Sequence, residues 1–440
     1  MQKYSFYIIK LFSFFCFFYS TLFLFFEIPI QILSVFLIFL QVLLIYEYRK
    51  FKPLALLFVF VLPYSLVAYF HFFDNTFPLQ LGQHLDFDNE KYYQNVFIIL
   101  TLFWSTFALT LPKLNDNLII RYLIKFKNQP LIFFTCFSLQ LFILLFGRSG
   151  NNLFQSDGYG SADSTVSNLG GTAIFEYFLV LYPLSYVFSG NNRFKLNLLL
   201  VLSFFYCFKA ISFGGRVEAL QCILLIFILH VDNLKYSLFK ILIYSILPIT
   251  FFIVFGFIRA APKSSIDEVF IIIRDNINLA GYTFLGNQID VYYSSTRLFG
   301  LIDIGVINSL DRIQIFFYNI IAFVSPYSLL PTKANLALFL QDQYSAGGGG
   351  LLPLFFYVYL SYFGVILIAI VIGLLFRKII IKTNLSSNYF LIYITMILAT
   401  YPRWYAYSSN VFYKFCLYSI ILLFILNVVI KIFYKKNTLI

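Results

Sequence analysis

The strongest constraint on the fold of this chain is a succession of long apolar runs that few charged residues interrupt. A run of about 18 residues crosses a hydrocarbon core about 30 Å thick when it is helical. Runs that reach or approach this length cover residues 8–26, 28–46, 54–73, 93–111, 130–147, 172–189, 196–213, 217–231, 240–258, 351–376, 389–404 and 410–431. The sequence therefore predicts an all-α, polytopic integral membrane protein with about 12 transmembrane helices.

The composition agrees with this interpretation. Of the 440 residues, 61% are hydrophobic and only 11% are charged, whereas soluble proteins carry about 25% charged residues. The first run is too long for a signal-peptide core and lacks a cleavage site, which predicts an uncleaved helix. All five cysteines fall within predicted spans, so we expect small apolar side chains and no disulfide framework. The three histidines are dispersed, and their spacing predicts no zinc site.

The distribution of Lys and Arg predicts the orientation, because cytoplasmic loops are enriched in both. With the N-terminus inside, the alternate short loops hold 19 of the 31 basic residues, and the opposite side holds 10. Six of those 10 lie in a single long outer segment, residues 259–350. Both termini are therefore expected in the cytoplasm. The net charge of +12 follows from this bias and calls for no nucleic-acid partner.

This orientation divides the chain into three predicted parts. Residues 1–258 form a transmembrane bundle of about 9 spans, and residues 351–440 form about 3 more. Residues 259–350 form a long outer loop with short interfacial helices, one of which begins near Ser264. The apolar stretch 310–330 is interpreted as a re-entrant or interfacial helix, because a crossing there would invert the charge pattern of the last spans.

Charged residues within the spans indicate functional positions, because a charge in a membrane is costly. Glu176 and Lys209 lie in the outer halves of neighbouring spans, where they form either a buried pair or two side chains that reach the interface. Glu218 follows the short turn Phe213-Gly214-Gly215-Arg216, which places Arg216 beside it at the outer boundary. A tight turn explains the two glycines but does not require Arg216.

The long loop is biased towards arginine. Its basic residues are Arg259, Arg274, Arg297 and Arg312 against Lys263 and Lys333. Arginine binds two phosphate oxygens at once, whereas lysine acts as a point charge. At a membrane surface this bias favours a lipid-linked pyrophosphate. The alternative is that these side chains are solvated surface charges paired with the aspartates of the loop. Likewise, its tyrosines suit stacking on sugar rings and equally suit an aromatic belt.

The topology, the Phe213-Gly214-Gly215-Arg216 turn and the long loop before the last spans together resemble one known family. The segment Gly347-Gly348-Gly349-Gly350-Leu351-Leu352-Pro353, which leads into Tyr357-Val358-Tyr359-Leu360-Ser361-Tyr362-Phe363-Gly364, adds to the match. On these features the chain resembles the O-antigen polymerases, which are the oligosaccharide repeat-unit polymerases of bacterial polysaccharide assembly.

The resemblance implies an activity and its partners. A growing glycan is transferred from one undecaprenyl pyrophosphate to the sugar end of a lipid-linked repeat unit. The reaction takes place on the periplasmic face of the bacterial inner membrane and uses no metal, nucleotide sugar or other cofactor. The implied partners are undecaprenyl-pyrophosphate-linked oligosaccharides, membrane lipid, a chain-length regulator and a flippase.

The implied reaction requires cations for the leaving pyrophosphate and a base for the acceptor hydroxyl. The candidate cations, in order, are Arg216, Arg259, Arg274, Arg297 and Arg312. The candidate general bases are Glu218, Asp290 and Asp267. In the glycine run, Gly348 and Gly349 are expected to let the backbone approach a neighbour or the substrate closely.

Three alternatives stay open. O-antigen ligases resemble this architecture but carry a functional histidine in the long outer loop, and residues 259–350 contain none. A multi-span polyprenyl-linked glycosyltransferase needs an acidic motif in an early outer loop, and Asp86-Phe87-Asp88 has that form. The non-enzyme alternative is a lipid-linked oligosaccharide flippase or another transporter, which is expected to hold charge within the membrane and to keep its loops short.

Overall fold

The computed structural model describes residues 2–23, 29–73, 89–114, 126–147, 171–212, 215–231, 239–240, 286–322, 325, 329–344, 349–381 and 388–436. These residues form fourteen α-helices and no β-strand. The predicted span 240–258, the helix expected near Ser264 and the motif Asp86-Phe87-Asp88 lie outside the described residues.

The helices divide between two compact units. The first unit comprises Met1–Ile120, Leu279–Thr383 and Trp404–Asn410. Its helices are α1 (Gln2–Leu22), α2 (Ile30–Tyr48), α3 (Lys52–Phe73), α4 (Glu90–Thr110), α9 (Gly286–Asp303), α10 (Ser309–Ile321), α11 (Leu336–Tyr344) and α12 (Leu352–Ile381). The second unit comprises Arg121–Asn278, Asn384–Arg403 and Val411–Ile440. Its helices are α5 (Pro130–Phe146), α6 (Gly171–Phe188), α7 (Arg193–Ser212), α8 (Arg216–Ile226), most of α13 (Asn388–Ala406) and α14 (Val411–Lys436).

The helices confirm the class of protein that the apolar runs predict. A helix occupies eleven of the twelve predicted spans. Among the described residues, seven helices are long and apolar enough to cross a membrane, namely α1, α2, α3, α4, α7, α12 and α14. The helices α5 and α6 are apolar but shorter. Large side chains such as Phe14, Phe204 and Phe424 are more than half exposed on these helices, and lipid solvates such surfaces better than water does. The chain is a mostly α-helical membrane protein.

Helix α4 forms the core of the first unit. Every side chain from Val96 to Ala108 is buried, which is typical of a helix surrounded by others. Trp104 Nε1 donates to the Tyr405 hydroxyl at 3.0 Å, and the two rings pack at an interplanar angle of 47° within a larger aromatic cluster. On another side, α12 approaches α4 so closely at Gly373 that an added Cβ would collide with the Thr110 side chain. This position therefore requires glycine.

A buried helix, α9, lies within residues 259–350, where the sequence indicated a loop with short interfacial helices. In α9, all side chains from Val291 to Gly300 are buried, and the helix packs against α3, α4 and α12. Its polar side chains bond to nearby backbone atoms, as when the Ser295 hydroxyl donates to the Val291 carbonyl at 2.9 Å. The mean hydropathy of α9 is low because of these side chains, which is why the sequence pattern indicated a loop.

Helix α10 has the character predicted for an interfacial helix. It begins with a capping box in which Asn308 and Asp311 exchange backbone and side-chain bonds. Its 13 residues extend about 20 Å, too short to cross a hydrocarbon core of about 30 Å. Its exposed side is apolar, with Leu310, Ile313 and Phe317 each more than half exposed. Such a surface is suited to the boundary between lipid and water.

Candidate functional site

The second unit gathers charged residues at one set of helix ends. The second-unit charge cluster consists of Glu176, Lys209, Arg216, Glu218, Arg403 and Lys414. They lie near the start of α6, the end of α7, the start of α8, the end of α13 and the start of α14. The Lys and Arg distribution predicts that all of these ends face outward. Charges buried at such positions are costly, so the cluster is the first candidate for function.

An ion pair anchors this cluster. Arg403 donates from a terminal nitrogen to Glu176 Oε1 at 3.0 Å, and the Glu176 side chain is only 9% exposed. Lys414 also acts electrostatically on Glu176. The sequence had suggested Lys209 as the partner of Glu176, and it did not single out Arg403. The pair joins the start of α6 to the end of α13, positions more than 200 residues apart in sequence.

Lys209 caps the end of a neighbouring helix. Its ammonium donates to the Leu144 carbonyl at 2.6 Å and to the Leu145 carbonyl at 3.2 Å. Both carbonyls belong to the last turn of α5, where intrahelical donors run out and the helix dipole is negative. Lys209 is 2% exposed, so a partner of this kind is required. The Lys209 ammonium therefore stabilises the C-terminal end of α5.

Two carboxylates lie near the Tyr206 ring. Tyr206 is fully buried between the Phe175 and Phe178 rings, whose centroids are 4.4 and 4.1 Å away. The Glu218 and Glu176 carboxylates are both electrostatic neighbours of its hydroxyl. Within the described part of the chain, that hydroxyl makes no hydrogen bond. Sequence reasoning missed Tyr206, because a tyrosine in an apolar helix is normally read as core.

Glu218 and Arg216 differ sharply in exposure. Glu218 is 4% exposed in the first turn of α8, where the helix dipole favours a negative charge. Arg216 is the first residue of the same helix and is exposed. The sequence predicted that both side chains face the outer aqueous boundary, whereas in the structure only Arg216 is exposed and Glu218 is buried. The backbone N–H groups of the first turn also favour the binding of an anion at the N-terminal end of α8.

Among the described residues, the first unit holds four more of the predicted site residues, Asp290, Arg297, Arg312 and Gly349. Asp290 is half-buried in α9, and burial raises the pKa of its carboxyl from 3.8 to about 6, although Arg297 opposes this shift. Arg297 is only 8% exposed on the same helix. A carboxyl with a pKa near neutrality is suited to proton transfer. Asp290 therefore keeps its place as a candidate base, and the burial of Arg297 argues against a freely exposed pyrophosphate ligand.

Arg312, a predicted pyrophosphate ligand, binds two backbone carbonyls in the structure. It donates from Nε to the Val358 carbonyl and from a terminal nitrogen to the Tyr357 carbonyl, each at 2.6 Å. Helix α12 breaks just after these residues, at Leu360 and Ser361. The break removes the intrahelical donors that the two carbonyls would otherwise have. The Arg312 guanidinium supplies donors to both carbonyls in place of the missing backbone N–H groups.

Gly349 allows the backbone to approach a neighbour closely, as predicted for the glycine run. Its φ of +105° is unfavourable for other residues, and an added Cβ would lie 3.0 Å from the Ala406 carbonyl. Gly350 N–H donates to that same carbonyl at 3.1 Å. The neighbour is thus part of the protein itself. The remaining predicted site residues, Arg259, Asp267, Arg274 and Gly348, lie outside the described residues.

Fold and site together define the class: a helical membrane protein with buried charges at one set of helix ends. No family model, curated protein or solved structure matches the chain. The function is therefore argued from the residues themselves.

Proposed function

We propose that this protein is a polymerase that joins lipid-linked oligosaccharide repeat units into a polysaccharide on the periplasmic face of the bacterial inner membrane. The substrates are undecaprenyl-pyrophosphate-linked oligosaccharides, and the product is an O-antigen or capsular polysaccharide. The observation that carries the proposal is that buried Glu218 and exposed Arg216 lie two residues apart in the first turn of α8. The two side chains are of the types that the reaction requires.

The chemistry divides between the two side chains. The acceptor hydroxyl attacks the anomeric carbon of the growing glycan, and its proton passes to the Glu218 carboxylate. The bond between that carbon and the pyrophosphate oxygen breaks, and undecaprenyl pyrophosphate leaves with the bonding electrons. Arg216 and the N–H groups at the start of α8 stabilise the charge that develops on the leaving group. The Glu176–Arg403 pair keeps a second carboxylate and a second guanidinium close by.

Asp290, Asp267 and the remaining arginines are the reserve candidates for the same roles. Asp290 has the pKa nearest to neutrality, at about 6. It belongs to the first unit, whereas Glu218 belongs to the second. A loss of activity confined to one of the two carboxylate variants therefore identifies the unit that carries the base.

A flippase for lipid-linked oligosaccharides is the second candidate. The sequence argument against it was that charge stays in the loops, yet Glu176, Lys209 and Glu218 are buried within the second unit. Buried charges that face one another also suit a transport path for a charged head group. The ligase and the multi-span glycosyltransferase stay open as before, because no structural observation favours them.

Deletion of the gene, followed by electrophoresis of the envelope polysaccharide, separates these functions. Loss of a polymerase leaves the core with a single repeat unit, and loss of a ligase leaves bare core with polymer on the lipid carrier. Loss of a flippase leaves neither product. A full ladder in the deletion strain would contradict all three.

Complementation of the deletion strain then tests the site. Arg216→Ala, Arg216→Lys and Glu218→Gln should each abolish long chains if the planar guanidinium and the carboxylate both act. Arg193→Ala is the matched control, because Arg193 is likewise the exposed first residue of a helix, α7, at a predicted inner end. Normal chain lengths in either Arg216 variant would exclude Arg216 as the pyrophosphate ligand.

A further inference from the structure

The second unit contains a line of buried polar side chains that the proposed chemistry uses only at its outer end. This polar file consists of Tyr182 on α6, Ser203 and Tyr206 on α7, Glu218, Gln221 and Cys222 on α8, and His230 just after α8. The three helices pack against one another. Polar groups at membrane depth are costly, and they commonly mark the paths of ions and protons.

The inner end of the polar file is a hydrogen-bonded pair. The Tyr182 hydroxyl and His230 Nε2 lie 2.9 Å apart, and Tyr182 is fully buried whereas His230 is partly exposed. His230 belongs to the π-helical turn Phe227–Val231, a rare form that often occurs at functional sites. An imidazole can accept a proton at one nitrogen and release one from the other. His230 is therefore suited to pass protons between the file and the predicted inner side.

Ser203 continues the polar file towards the outer side. Its hydroxyl is a hydrogen-bonding neighbour of both the Tyr182 hydroxyl and the Cys222 thiol. The same hydroxyl donates to the Leu199 carbonyl at 2.7 Å, one turn earlier in α7. Ser203 and Cys222 are fully buried. Hydroxyl and thiol groups each offer a donor and an acceptor. Ser203 can thus receive a proton from Cys222 while it passes its own to Tyr182.

Two side chains with unmatched polar atoms lie beside Cys222 and Glu218. Gln221 and Tyr206 are fully buried, and neither the amide nor the hydroxyl makes a hydrogen bond within the described part of the chain. The Glu218 carboxylate and the Cys222 thiol are both electrostatic neighbours of the Tyr206 hydroxyl. Gln221 follows Glu218 by three residues, so the two share one face of α8. Unmatched buried polar atoms cost free energy. Their retention beside a carboxylate favours a part in proton transfer over a part in packing.

The length of the polar file matches the thickness that it has to cross. Helix α8 has 11 residues and the π-helical turn has 5, which together extend about 24 Å against a hydrocarbon core of about 30 Å. Glu218 lies in the first turn of this segment and His230 in the last. The Lys and Arg distribution predicts that the segment starts at the outer side and ends at the inner side. The two ends of the file therefore approach the two aqueous boundaries.

We propose that the polar file conducts protons across the membrane between Glu218 at its outer end and His230 at its inner end. On inward transfer, protonated Glu218 gives its proton to the next group, and each group accepts one proton and passes on its own. The order is Tyr206, Cys222, Ser203, Tyr182 and His230. Gln221 is a positioning residue, whose amide bonds to its neighbours as their protonation changes.

The transfer balances without an oxidant or a reductant. His230 gains a proton at Nε2 and releases one from Nδ1 to the inner solution, and each bond to hydrogen that breaks is replaced by one that forms. Rotation of the hydroxyls and a change of the His230 tautomer then reset the polar file. This activity goes beyond the proposed function, because it requires neither a glycan nor a pyrophosphate.

Reconstitution of the whole protein in phospholipid vesicles tests the proposal. The vesicles contain the pH-sensitive dye pyranine, and a potassium gradient with valinomycin makes their interior negative. The wild type should acidify the interior about tenfold faster than protein-free vesicles do, because the polar file lowers the barrier to proton transfer. A sodium-sensitive dye under the same potential should report no flux above that of protein-free vesicles, since hydroxyl and thiol groups relay protons and not metal ions.

Paired substitutions separate the polar file from the packing around it. Tyr182→Phe removes one hydroxyl of the file and should lower the acidification rate about tenfold. Tyr186→Phe is the matched control and should leave the rate unchanged, because the Tyr186 hydroxyl is buried one turn further along α6 and donates to a backbone carbonyl outside the file. Ser203→Ala and Ser185→Ala form a second pair, since Ser185 bonds to α5. Only Ser203→Ala should slow acidification, and it takes the place of Tyr182→Phe if that variant does not fold.

Gln221→Leu and Tyr206→Phe give a measurement that a purely structural role would not change. Each substitution removes unmatched buried polar atoms, so each variant should resist SDS unfolding at least as well as the wild type. Each should nevertheless slow acidification about threefold or more. Slower proton flux at equal or greater stability assigns these atoms to the path. Unchanged flux in both variants would assign them to packing and contradict the order of transfer.

Three further outcomes would overturn the proton path. They are proton flux no faster than in protein-free vesicles, sodium flux that accompanies the proton flux, and equal acidification rates in the wild type and Tyr182→Phe. The result is separable from the fate of the proposed function. A full polysaccharide ladder in the deletion strain, together with proton flux that depends on Tyr182, removes the polymerase and keeps the path. Loss of the ladder without proton flux in vesicles removes the path alone.

Discussion

Arg403 in the second unit and Arg312 in the first unit are both partly buried, but they bind different kinds of partner. In the second unit, Arg403 faces another side chain, the Glu176 carboxylate. In the first unit, Lys10 donates to three carbonyls at the end of α4, and Arg312 donates to two carbonyls of α12. A cation bound to backbone carbonyls fixes the local conformation of the chain. A cation bound to a carboxylate leaves two charged side chains for whose contacts a substrate can compete. The Glu176–Arg403 pair of the second unit is therefore where we expect charge chemistry.

The largest effect is expected from breaking the ion pair of the second unit. Glu176→Gln leaves Arg403 without its anion in a largely buried place, which should lower the free energy of unfolding by about 3 kcal/mol. Arg403→Met should cost a similar amount for the opposite reason. SDS titration of the protein in mixed micelles measures both.

The double variant Glu176→Gln/Arg403→Met serves as the control for this prediction. It removes both charges, so it should be more stable than the sum of the single variants implies, with a coupling of about 1 kcal/mol or more. Additive losses would show that the two side chains do not act as a pair. The contrast between the units would then disappear.

A smaller effect is expected at the backbone cap of the first unit. Arg312→Ala removes two charge-assisted bonds to carbonyls, and we expect a loss of about 2 kcal/mol. Arg312→Lys should recover part of it, since an ammonium reaches one carbonyl more easily than two. Because Arg312 stabilises the backbone of α12, these substitutions should lower the free energy of unfolding before they affect activity. The same SDS titration measures this change.

Ser361→Gly is the matched variant at the break that Arg312 caps. Ser361 has a φ of 57° and a ψ of −153°, a conformation that only glycine adopts without strain. The substitution should therefore stabilise the protein by about 1 kcal/mol. A destabilised Ser361→Gly variant would indicate that the serine side chain, and not the backbone, holds the break in place.

A pH-dependent effect is expected from the titration of Asp290. Its pKa lies at about 6 in the folded protein against an ordinary 3.8, so folding favours the protonated form. The stability contributed by this group is present at low pH and is lost as the pH rises through about 6. Melting curves between pH 4 and pH 7 measure this loss, and Asp290→Asn should flatten it. An unchanged pH dependence in that variant would assign the titration to another group.

The apolar helices were predictable because lipid imposes a simple rule of length and hydropathy. Helix α9 was not, since Ser294, Ser295 and Thr296 are polar and yet buried, and the hydroxyls of Ser295 and Thr296 donate to backbone carbonyls of the same helix. Its pattern resembles that of a solvent-exposed segment. A run of small hydroxyl residues directly after two tyrosines was the available signal, and it is a weak one.

The candidate site was predictable only where its residues are close in sequence. Arg216 and Glu218 share the first turn of one helix, and the sequence alone places them together. The Glu176–Arg403 pair depends on the packing of α6 against distant helices, which no local pattern encodes. The role of Arg312 depends on a break in α12. The residue types at this break, Leu360 and Ser361, do not predict a kink, because neither is proline or glycine.

The break in α12 also has a consequence for where the protein meets the bilayer. A straight helix of 30 residues would measure about 45 Å, well beyond a hydrocarbon core of about 30 Å. The part after Ser361 has about 20 residues, which matches that core by itself. The water boundary is therefore expected at the level of Ser361, and the nine residues from Leu352 to Leu360 form a platform above the lipid. Because Arg312 binds the carbonyls next to this break, we expect it to help fix how deeply α12 is inserted in the membrane.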